Sequence, residues 1–405
     1  MDRAEAEQRD AADPLFPLRD RFLLPDGLIY LDGNSLGALP AAVPERVART
    51  VTEEWGVDLI RAWNARDWVG LPRRVGARIA RLIGADPDSV MVCDSTSVNL
   101  FKLASAAIGM RPSRRKIVTD AGNFPTDLYI LAGVAERHGL ELVVAEPGDV
   151  LASIDGDSAL VALTQVDYRT GDRYDMGIVT EAAHRAGALV LWDLAHSAGA
   201  FSVAVGDADL AVGCGYKYLN GGPGAPSFIY VAPHLQERFD NPIRGWFGHA
   251  RPFAFDVEFE PVAGIDRTRV GTPHILSLAA LDAALDAFEG VDMGAVTEKS
   301  QELTSLFMDL VESRLGRYLT IVTNGDPERR GSQVSLTHPQ AFSIVSALIE
   351  RGVIGDFREP DVARFGFAPL YVRHVDAYDA VEALVRVMSG REFEDPRHAV
   401  RRVVT

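Results

Sequence analysis

Short apolar runs separated by helical segments occupy residues 90 to 231, and this alternation constrains the fold more than any other feature. The runs lie at 90–93, 116–119, 141–144, 159–164, 190–193, 209–212 and 227–231. Buried strands that alternate with helices predict a mostly parallel sheet with helices on both faces. Ligands of such sheets bind at the carboxyl ends of the strands. The last residues of five strands, Cys93, Thr119, Thr164, Asp193 and Val212, are therefore expected along one edge.

The composition limits the class of protein. A chain of 405 residues with 47% hydrophobic content is long enough for two or three globular units. The formal net charge of −16 disfavours nucleic acid or an anionic membrane as the partner. No apolar run approaches the roughly 18 residues of a membrane span, and no signal-peptide pattern is present, so we expect a cytoplasmic protein. The two cysteines, Cys93 and Cys214, are expected in the core, and no metal site is predicted.

An aspartate and a lysine mark the centre of the predicted edge. Asp193 ends one buried strand, and Lys217 lies in the glycine-rich loop after the next strand. A pyridoxal phosphate enzyme needs this pair, because the carboxylate keeps the pyridine nitrogen protonated while the amine holds the cofactor aldehyde as an imine. The chain has only three other lysines, Lys102, Lys116 and Lys299, and we expect all three to be solvated. The sequence thus predicts a pyridoxal phosphate site built on Lys217.

Several other residues near strand ends have two interpretations each. Asp94-Ser95-Thr96-Ser97 leads into a predicted helix from Val98 to Ile108, where hydroxyls and free amides suit a phosphate group, although Ser and Thr are also ordinary N-cap residues. Phe124 follows a strand and could stack on a flat cofactor or fill the core. Arg364 lies in an apolar strand, where a charge is costly unless paired. It could grip a substrate carboxylate or belong to a structural ion pair.

Further candidates are less specific on their own. The loop 32–37 contains two glycines that permit close approach of the backbone to a ligand, but an ordinary turn fits equally well. The tryptophan cluster that includes Trp63 could pack a core or line an aromatic pocket. His196 could touch the cofactor ring or brace Asp193, and Tyr216 could bind the phosphate or pass a proton.

After about residue 270 the pattern changes. Helices at 275–288, 293–315, 341–351 and 377–388, with short strands at 333–336, 353–355 and 364–367, predict a small α+β domain. Residues 1–30 are polar and punctuated by prolines, and they are expected to form an arm that packs on another part of the chain. We therefore divide the chain into an N-terminal arm and segment packing with the small domain (1–55), a large cofactor-binding domain (56–272), and linking helices with the small C-terminal domain (273–405).

Six stretches together resemble bacterial kynureninases. They are Leu31-Asp32-Gly33-Asn34-Ser35-Leu36-Gly37, Asn123-Phe124-Pro125-Thr126-Asp127, Asp193-Leu194-Ala195-His196, the loop 215–224 around Lys217, Gly245-Trp246-Phe247-Gly248-His249 and Arg364-Phe365-Gly366-Phe367. The resemblance extends from about residue 15 to the end of the chain. The first and fifth stretches are the most specific, since an aspartate followed about two dozen residues later by a lysine is shared by many relatives of this fold.

The resemblance implies a pyridoxal phosphate-dependent transferase fold of type I, in the class V aminotransferase group. It implies a homodimer with active sites at the subunit interface and a small-molecule substrate, L-kynurenine, with 3-hydroxykynurenine as an open alternative. Such an enzyme hydrolyses the Cβ–Cγ bond to give anthranilate and L-alanine. The pathway would be tryptophan and kynurenine catabolism, with NAD biosynthesis left open.

The resemblance also implies roles for individual residues. Lys217 would form the internal aldimine, Asp193 would pair with the pyridine nitrogen, and Tyr216 would complete the catalytic set. The remaining cofactor residues would be Thr96, Ser97, Phe124, Pro125, Thr126, Asp127, Thr164 and His196, with Trp246 and Thr272 reaching the cofactor phosphate of the neighbouring subunit. Arg364 would hold the substrate carboxylate, and Asn34, Ser35 and Trp63 would border the aromatic end of the substrate.

Two alternatives remain beside this interpretation. A cysteine desulfurase or selenocysteine lyase of the same fold needs a mobile catalytic cysteine, whereas Cys93 and Cys214 are expected to be buried. A catalytically silent relative that binds the cofactor for a regulatory purpose predicts a lost acid, lysine or arginine. Asp193, Lys217 and Arg364 are all present.

Overall fold

The computed structural model of the chain describes residues 1 to 401. Within them the strands are β1 (Ile29–Tyr30), β2 (Val90–Val92), β3 (Lys116–Asp120), β4 (Glu141–Ala145), β5 (Ser158–Thr164), β6 (Leu189–Asp193), β7 (Leu210–Gly213), β8 (Phe228–Val231), β9 (Thr320–Ile321), β10 (Gln333–Thr337), β11 (Val353–Ile354), β12 (Asp356–Arg358) and β13 (Val362–Gly366). The α-helices are α1 (Arg3–Ala12), α2 (Val43–Arg49), α3 (Ala62–Ala65), α4 (Leu71–Leu82), α5 (Thr96–Met110), α6 (Pro125–His138), α7 (Val150–Ser153), α8 (Met176–Ala186), α9 (Pro233–Gln236), α10 (Ile275–Ala284), α11 (Met293–Leu315), α12 (Ala341–Glu350) and α13 (His374–Ser389). A π-helical turn, Thr50–Trp55, continues α2.

The large sheet has seven strands in the order β2-β8-β7-β6-β5-β3-β4. The five strands β3 to β7 pair in parallel. Only β8 runs against the others, since it is antiparallel to both of its neighbours, β2 and β7. Strands β5, β6 and β7 are buried along their whole length, as expected for strands covered on both faces. The predicted mostly parallel sheet is confirmed.

The small domain contains an antiparallel sheet in the order β12-β13-β10-β9. Helix α12 packs against β13, and α13 packs against both α11 and α12. This α+β arrangement is the one that the sequence predicts. Strands β9 and β12 were not predicted, because each has only two or three residues and lacks an apolar run.

The N-terminal arm includes a regular helix, α1, that the sequence reasoning missed. A capping box joins Asp2 and Glu5 at its start. The arm packs on the small domain, because Asp10 accepts hydrogen bonds from the backbone N–H of His374 at 2.7 Å and of Val375 at 3.0 Å. Strand β1 pairs in parallel with β11 in the same region. The domain boundaries after residues 55 and 272 stay predictions.

The expectation that three lysines are solvated was wrong. Lys102, Lys116 and Lys299 are all buried. Each ammonium group lies 2.6 Å from a carboxylate oxygen, in the pairs Lys102–Asp94, Lys116–Asp155 and Lys299–Asp13. Buried charges require such partners, and the partners were not apparent from the helical or strand pattern around each lysine.

None of the helices within residues 1 to 401 combines the length and the apolar composition needed to cross a bilayer.

Candidate active site

The carboxyl edge of the large sheet places Asp193 at the end of β6, next to Thr164 at the end of β5. Asp193 is buried, and its Oδ1 accepts a hydrogen bond from the N–H of Ala195 at 2.7 Å. Burial raises the pKa of Asp193, while the charge of Lys217 and the Ala195 N–H act in the opposite direction. Asp193 therefore ionises readily only when a cation lies against it.

Lys217 follows β7 and contacts His196, with 2.8 Å between Lys217 Nζ and His196 Nε2. Burial, and then the charge of Lys217, hold the pKa of His196 well below its usual range. The imidazole is therefore neutral, and its Nε2 accepts a hydrogen bond from the lysine. His196 Nδ1 is buried without a partner among the described residues. In this geometry His196 orients the lysine rather than Asp193.

A second carboxyl group, Asp127 in the first turn of α6, lies against Asp193. Burial, and then the charge of Asp193 and a hydrogen bond to it, raise the pKa of Asp127 well above its usual range. Asp127 therefore keeps its proton and donates a hydrogen bond to Asp193. Thr164 Oγ1 donates to Asp127 Oδ2 at 3.5 Å and also to Asn123 Oδ1. These contacts join the ends of β5 and β6 to the start of α6.

The start of α5 leaves two hydroxyl groups available. Ser95 is the N-cap residue and accepts a hydrogen bond from the N–H of Val98 at 3.4 Å. The helix begins two residues earlier than predicted, at Thr96, so the ordinary N-cap of this stretch is Ser95, and Thr96 and Ser97 lie in the first turn. The N–H groups of the first helical turn and the helix dipole favour an anion at this position.

Phe124 stands directly before α6, which begins with Pro125 and Thr126. Its side chain is 40% exposed, so the interpretation of Phe124 as a core residue was wrong. The ring packs edge-to-face on Tyr168, with 5.1 Å between the centroids. One face of an aromatic ring is thus open beside the strand ends.

Arg364 on β13 is buried in an ion pair, with only 1% of the residue exposed. Its Nε donates to Asp356 Oδ1 at 2.7 Å, and its Nη2 donates to Asp356 Oδ2. The Nη1 atom donates to the backbone oxygen of Tyr168, and Nη2 also lies 3.1 Å from Ser35 Oγ. The structural ion pair considered for Arg364 is present, and its role in holding a substrate carboxylate stays a prediction.

The loop 32–37 packs on the backbone beside Lys217. The N–H of Gly37 donates to the oxygen of Tyr216 at 2.8 Å. A Cβ atom at Gly37 would lie 2.3 Å from the oxygen of Lys217, which only glycine avoids. The close approach allowed by glycine is therefore to the lysine loop of the chain itself. Asn34 in this loop is buried, and its Nδ2 donates to Gln333 Oε1 at 2.9 Å.

An aromatic cluster formed by Trp63, Trp246, Phe247, Phe253 and Phe255 lies on the surface. Trp63 packs on Phe247 with 6.2 Å between centroids, and Trp246 packs on Phe253 at 5.5 Å and on Phe255 at 6.3 Å. Phe253 and Phe255 are exposed, and so is Thr272 on a separate loop. None of the predicted members Trp63, Trp246 and Thr272 contacts Lys217 or Asp193 through a side-chain hydrogen bond within residues 1 to 401.

Sequence reasoning gave no role to three charged residues in the site, Asp32, Asp356 and Arg358. Asp356 and Arg358 are two positions apart in β12 and so face the same side of the sheet. Asp32 belongs to the stretch 31–37, in which the sequence indicated roles only for the two glycines, Asn34 and Ser35. The alternation Asp356-Phe357-Arg358 was the available signal, because charges two residues apart around one apolar residue indicate a strand with a polar face.

The arrangement fits pyridoxal phosphate. A buried acid, Asp193, suits a pyridine nitrogen, and the amine of Lys217 suits an aldehyde. The open face of Phe124 suits a flat ring, and the start of α5 suits a phosphate group. His196 Nδ1 and Ser197 Oγ are buried polar atoms without partners in the described chain, which is characteristic of a site that a ligand completes.

Comparisons with known proteins identify the family. A family model described as the kynureninase C-terminal domain matches residues 296–384. Kynureninases of Burkholderia mallei (strain SAVP1), Pseudomonas fluorescens and Deinococcus radiodurans are 48%, 48% and 50% identical to this chain. The alignments cover 100%, 98% and 98% of this chain and 99%, 98% and 98% of those proteins. The chain belongs to the kynureninase family.

Solved structures agree on the fold. Cysteine desulfurases from Escherichia coli and Thermococcus onnurineus each superpose with a TM-score of 0.77, at 22% and 18% identity. They cover 93% and 92% of this chain and 98% of their own. The fold is the predicted pyridoxal phosphate-dependent fold of type I. As a kynureninase family member, the chain is a pyridoxal phosphate-dependent hydrolase that acts on a carbon–carbon bond.

Proposed function

We propose that the chain hydrolyses the Cβ–Cγ bond of L-kynurenine to anthranilate and L-alanine, in the kynurenine pathway of tryptophan catabolism. The observation that carries this proposal is the contact between Lys217 Nζ and a neutral, buried His196 at 2.8 Å, beside the buried carboxyl group of Asp193. This constellation lies in a chain that is about half identical to kynureninases along its whole length.

The buried carboxyl groups set the charge at the cofactor ring. Pyridoxal phosphate, when bound, supplies an aldehyde that condenses with amines and a ring that stores an electron pair. Asp193 has little reason to ionise alone, since burial raises its pKa. A ring-nitrogen cation at about 4 Å would stabilise the carboxylate by about 4 kcal/mol at an effective dielectric constant of about 20. Asp127 supports this charge because it keeps its proton and donates a hydrogen bond to the Asp193 carboxylate.

Lys217 and Tyr216 are the groups that accept and donate protons during the reaction. His196 accepts a hydrogen bond from Lys217 Nζ and holds this atom in one place. Once free, Lys217 Nζ is the base for the substrate α-proton. Burial raises the pKa of Tyr216, so its hydroxyl keeps its proton and can donate a hydrogen bond to the phosphate or return a proton to the leaving fragment.

Other predicted residues complete the site. Thr96, Ser97, Thr126 and Thr164 supply hydroxyl groups around the cofactor, and Phe124 covers the ring. Arg364 provides positive charge for the substrate carboxylate. Asn34 and Ser35 are held beside Lys217 by the loop 32–37, which suits residues that border the substrate.

The aromatic cluster supports a proposed homodimer. Trp246, Phe253 and Phe255 are exposed, and Val257 is fully exposed, whereas monomeric proteins seldom leave such apolar patches in water. We propose that a second copy of the chain covers this patch, so that Trp246 and Thr272 reach the cofactor phosphate of the neighbouring subunit. The acidic net charge of −16 and the two free cysteines suit the proposed cytoplasmic location.

The decisive experiment mixes the purified holoenzyme with L-kynurenine and follows the fluorescence of released anthranilate. Wild-type protein is expected to release anthranilate and L-alanine in equal amounts. Lys217→Ala should lose both the reaction and the visible absorbance of the bound cofactor, because the other three lysines are paired with Asp94, Asp155 and Asp13. Lys116→Ala removes a lysine that pairs with Asp155 and serves as the control, with absorbance and activity retained. A Lys217→Ala protein with an unchanged spectrum would refute the lysine assignment.

A cysteine desulfurase activity has less support. Cys214 is buried, and Cys93 lies between Asn99, Lys102 and the backbone of Thr268. Burial raises the pKa of both thiols, which disfavours the thiolate that such enzymes use. Release of sulfide from L-cysteine without release of anthranilate from L-kynurenine would favour the desulfurase, and binding of cofactor without either reaction would favour a silent relative.

A further inference from the structure

The guanidinium group of Arg358 lies beside that of Arg364. Asp356 Oδ2 lies 2.9 Å from Arg358 Nη2 and also accepts a hydrogen bond from Arg364 Nη2. Ser35 Oγ lies 3.3 Å from Arg358 Nη2 and 3.1 Å from Arg364 Nη2. The same hydroxyl donates to Asp356 Oδ2 at 2.5 Å. One carboxylate and one hydroxyl group therefore hold two arginines side by side.

The strand register explains this juxtaposition. Asp356 and Arg358 are alternate residues of β12, so their side chains lie on one face. Asp356 is paired with Arg364 across the antiparallel β12–β13 ladder. Cross-strand neighbours of this kind have Cβ atoms about 5 Å apart. The backbone thus fixes both arginines on either side of Asp356.

The cluster has more positive charge than its carboxyl groups balance. Burial works against ionisation of Asp356, but its hydrogen bond to Arg364 and the charge of that arginine outweigh burial and lower the pKa of this carboxyl group. Burial, and then the charge of Asp356, raise the pKa of Asp32 to about 7. Near neutral pH, two guanidinium charges therefore face one full carboxylate and one partly protonated acid.

Arg358 carries the part of this surplus that a ligand can reach. The side chain of Arg358 is 35% exposed, whereas that of Arg364 is 1% exposed. Burial, and then the charge of Arg364, lower the pKa of Arg358, which indicates incomplete compensation by anions. Its Nε has no hydrogen-bond partner within residues 1 to 401. A carboxylate can therefore add to Arg358 without displacing an existing partner.

The two arginines also lie near enough to the reacting groups for their charges to act on them. Both of their charges contribute to lowering the pKa of His196, which contacts Lys217 Nζ at 2.8 Å. Arg364 donates to the backbone oxygen of Tyr168, whose ring packs on Phe124. The cluster is thus directed towards the cofactor side of the cleft.

We propose that Arg358 is a substrate-binding residue and forms, together with Arg364, a double guanidinium site for the substrate carboxylate. Asp356 and Ser35 set the spacing of the two groups. The proposal depends on the proposed function only in that the substrate carries a carboxylate. Arg358 supplies the accessible donors, and the buried Arg364 supplies charge and rigidity.

The test compares Arg358→Gln with wild type, using a ligand that has a carboxylate and a matched ligand that lacks it. The ligands are L-kynurenine and its decarboxylated amine, and the dissociation constants come from the fast change in visible absorbance of the holoenzyme after rapid mixing, before L-kynurenine is turned over. Arg358→Gln is expected to weaken L-kynurenine binding by about tenfold or more, since a charge-assisted hydrogen bond is lost. Binding of the amine should change less than about twofold, because the amine has no carboxylate to accept a hydrogen bond from Arg358. Cofactor loading should be unchanged. Arg351→Gln, which removes an exposed arginine paired with Glu392, is the control with no effect on either ligand.

Other results would overturn the proposal. Equal weakening of both ligands, or loss of cofactor in Arg358→Gln, would mean that Arg358 is only structural. Unchanged affinity for L-kynurenine would mean that Arg364 acts alone. If the wild type releases no anthranilate, the proposed function fails, and the pair L-alanine and ethylamine then decides the role of Arg358 by the same comparison of affinities.

Discussion

Two pairs of carboxyl groups lie in the site, Asp127 with Asp193 and Asp32 with Asp356. In each pair one acid lies against a cation, and the other keeps its proton more strongly than usual. Asp193 faces Lys217, and Asp356 binds Arg364. Like charges in close contact cannot both ionise cheaply, so the pair titrates as a unit. At the residue scale, the site thus places Asp193 and Asp356 against cations, with a protonated Asp127 and a partly protonated Asp32 behind them.

Asp32→Asn tests the second of these pairs. The acid has a pKa of about 7 in the folded chain and about 3.9 in an unfolded one, so the folded state binds more protons between these values. Stability of the wild type therefore falls as the pH rises from about 4 to about 7, by at most about 4 kcal/mol. The variant lacks this loss, and its Tm relative to wild type is expected to be higher at pH 8 than at pH 5. Asp26→Asn, at an exposed position, is the control; an equal Tm difference at both pH values for Asp32→Asn would contradict the assignment.

At the scale of elements, the sequence predicted the strands that are marked by local apolar runs. It did not predict elements and clusters whose contacts come from distant parts of the chain. The large sheet was predictable because β5, β6 and β7 are continuous apolar runs. Helix α1 was missed, although Asp2 and Glu5 form a capping box that the sequence contains, because the helix is polar and its partner α13 lies at the other end of the chain. The cluster of Asp356, Arg358 and Arg364 was missed because the register of β12 and β13 is not visible locally.

The buried lysines illustrate the same limit, and Lys102 on α5 offers a test. Its Nζ donates to Asp94 Oδ2 at 2.6 Å and to the Thr268 oxygen at 2.8 Å. Lys102→Met keeps the apolar stem but leaves both acceptors unpaired, and we expect a loss of about 3 kcal/mol, at the low end for a broken buried pair. Lys116→Met is the matched control with a loss of about 1 kcal/mol, because its partner Asp155 is exposed. Thermal unfolding shows which of the two variants loses more stability. An equal decrease in Tm would be inconsistent with this account.

At the scale of the whole molecule, the aromatic cluster is an apolar surface that a single chain leaves exposed to water. Trp63, Trp246 and Phe247 pack together under the exposed Phe253 and Phe255. Sequence reasoning singled out Trp63 and Trp246 but could not tell that their rings belong to one surface patch. Such a patch matches the apolar centre of a subunit interface.

The double variant Phe255→Asp, Val257→Asp places two charges in this patch. Burial of unpaired charges at an interface is costly, so the variant is expected to sediment as a monomer at concentrations where the wild type is a dimer. Cofactor affinity should fall with dissociation, since Trp246 and Thr272 then no longer reach the neighbouring phosphate. Tyr318→Asp changes an exposed aromatic residue elsewhere and should leave the dimer intact. A dimeric double variant would argue for a different interface.

The pairing of the N-terminal arm with the small domain sets an order of events during synthesis of the chain. Asp10 is made 364 residues before His374, and Ser35 is made 321 residues before Asp356. At ordinary translation rates this interval is roughly half a minute. The large sheet, with Asp193 and Lys217, leaves the ribosome complete during that time, while the arm and the loop 32–37 still lack their partners. The part of the cleft proposed to recognise the substrate is therefore the last to form, so a nascent chain completes the sheet edge that carries Asp193 and Lys217 before it completes the proposed substrate contacts.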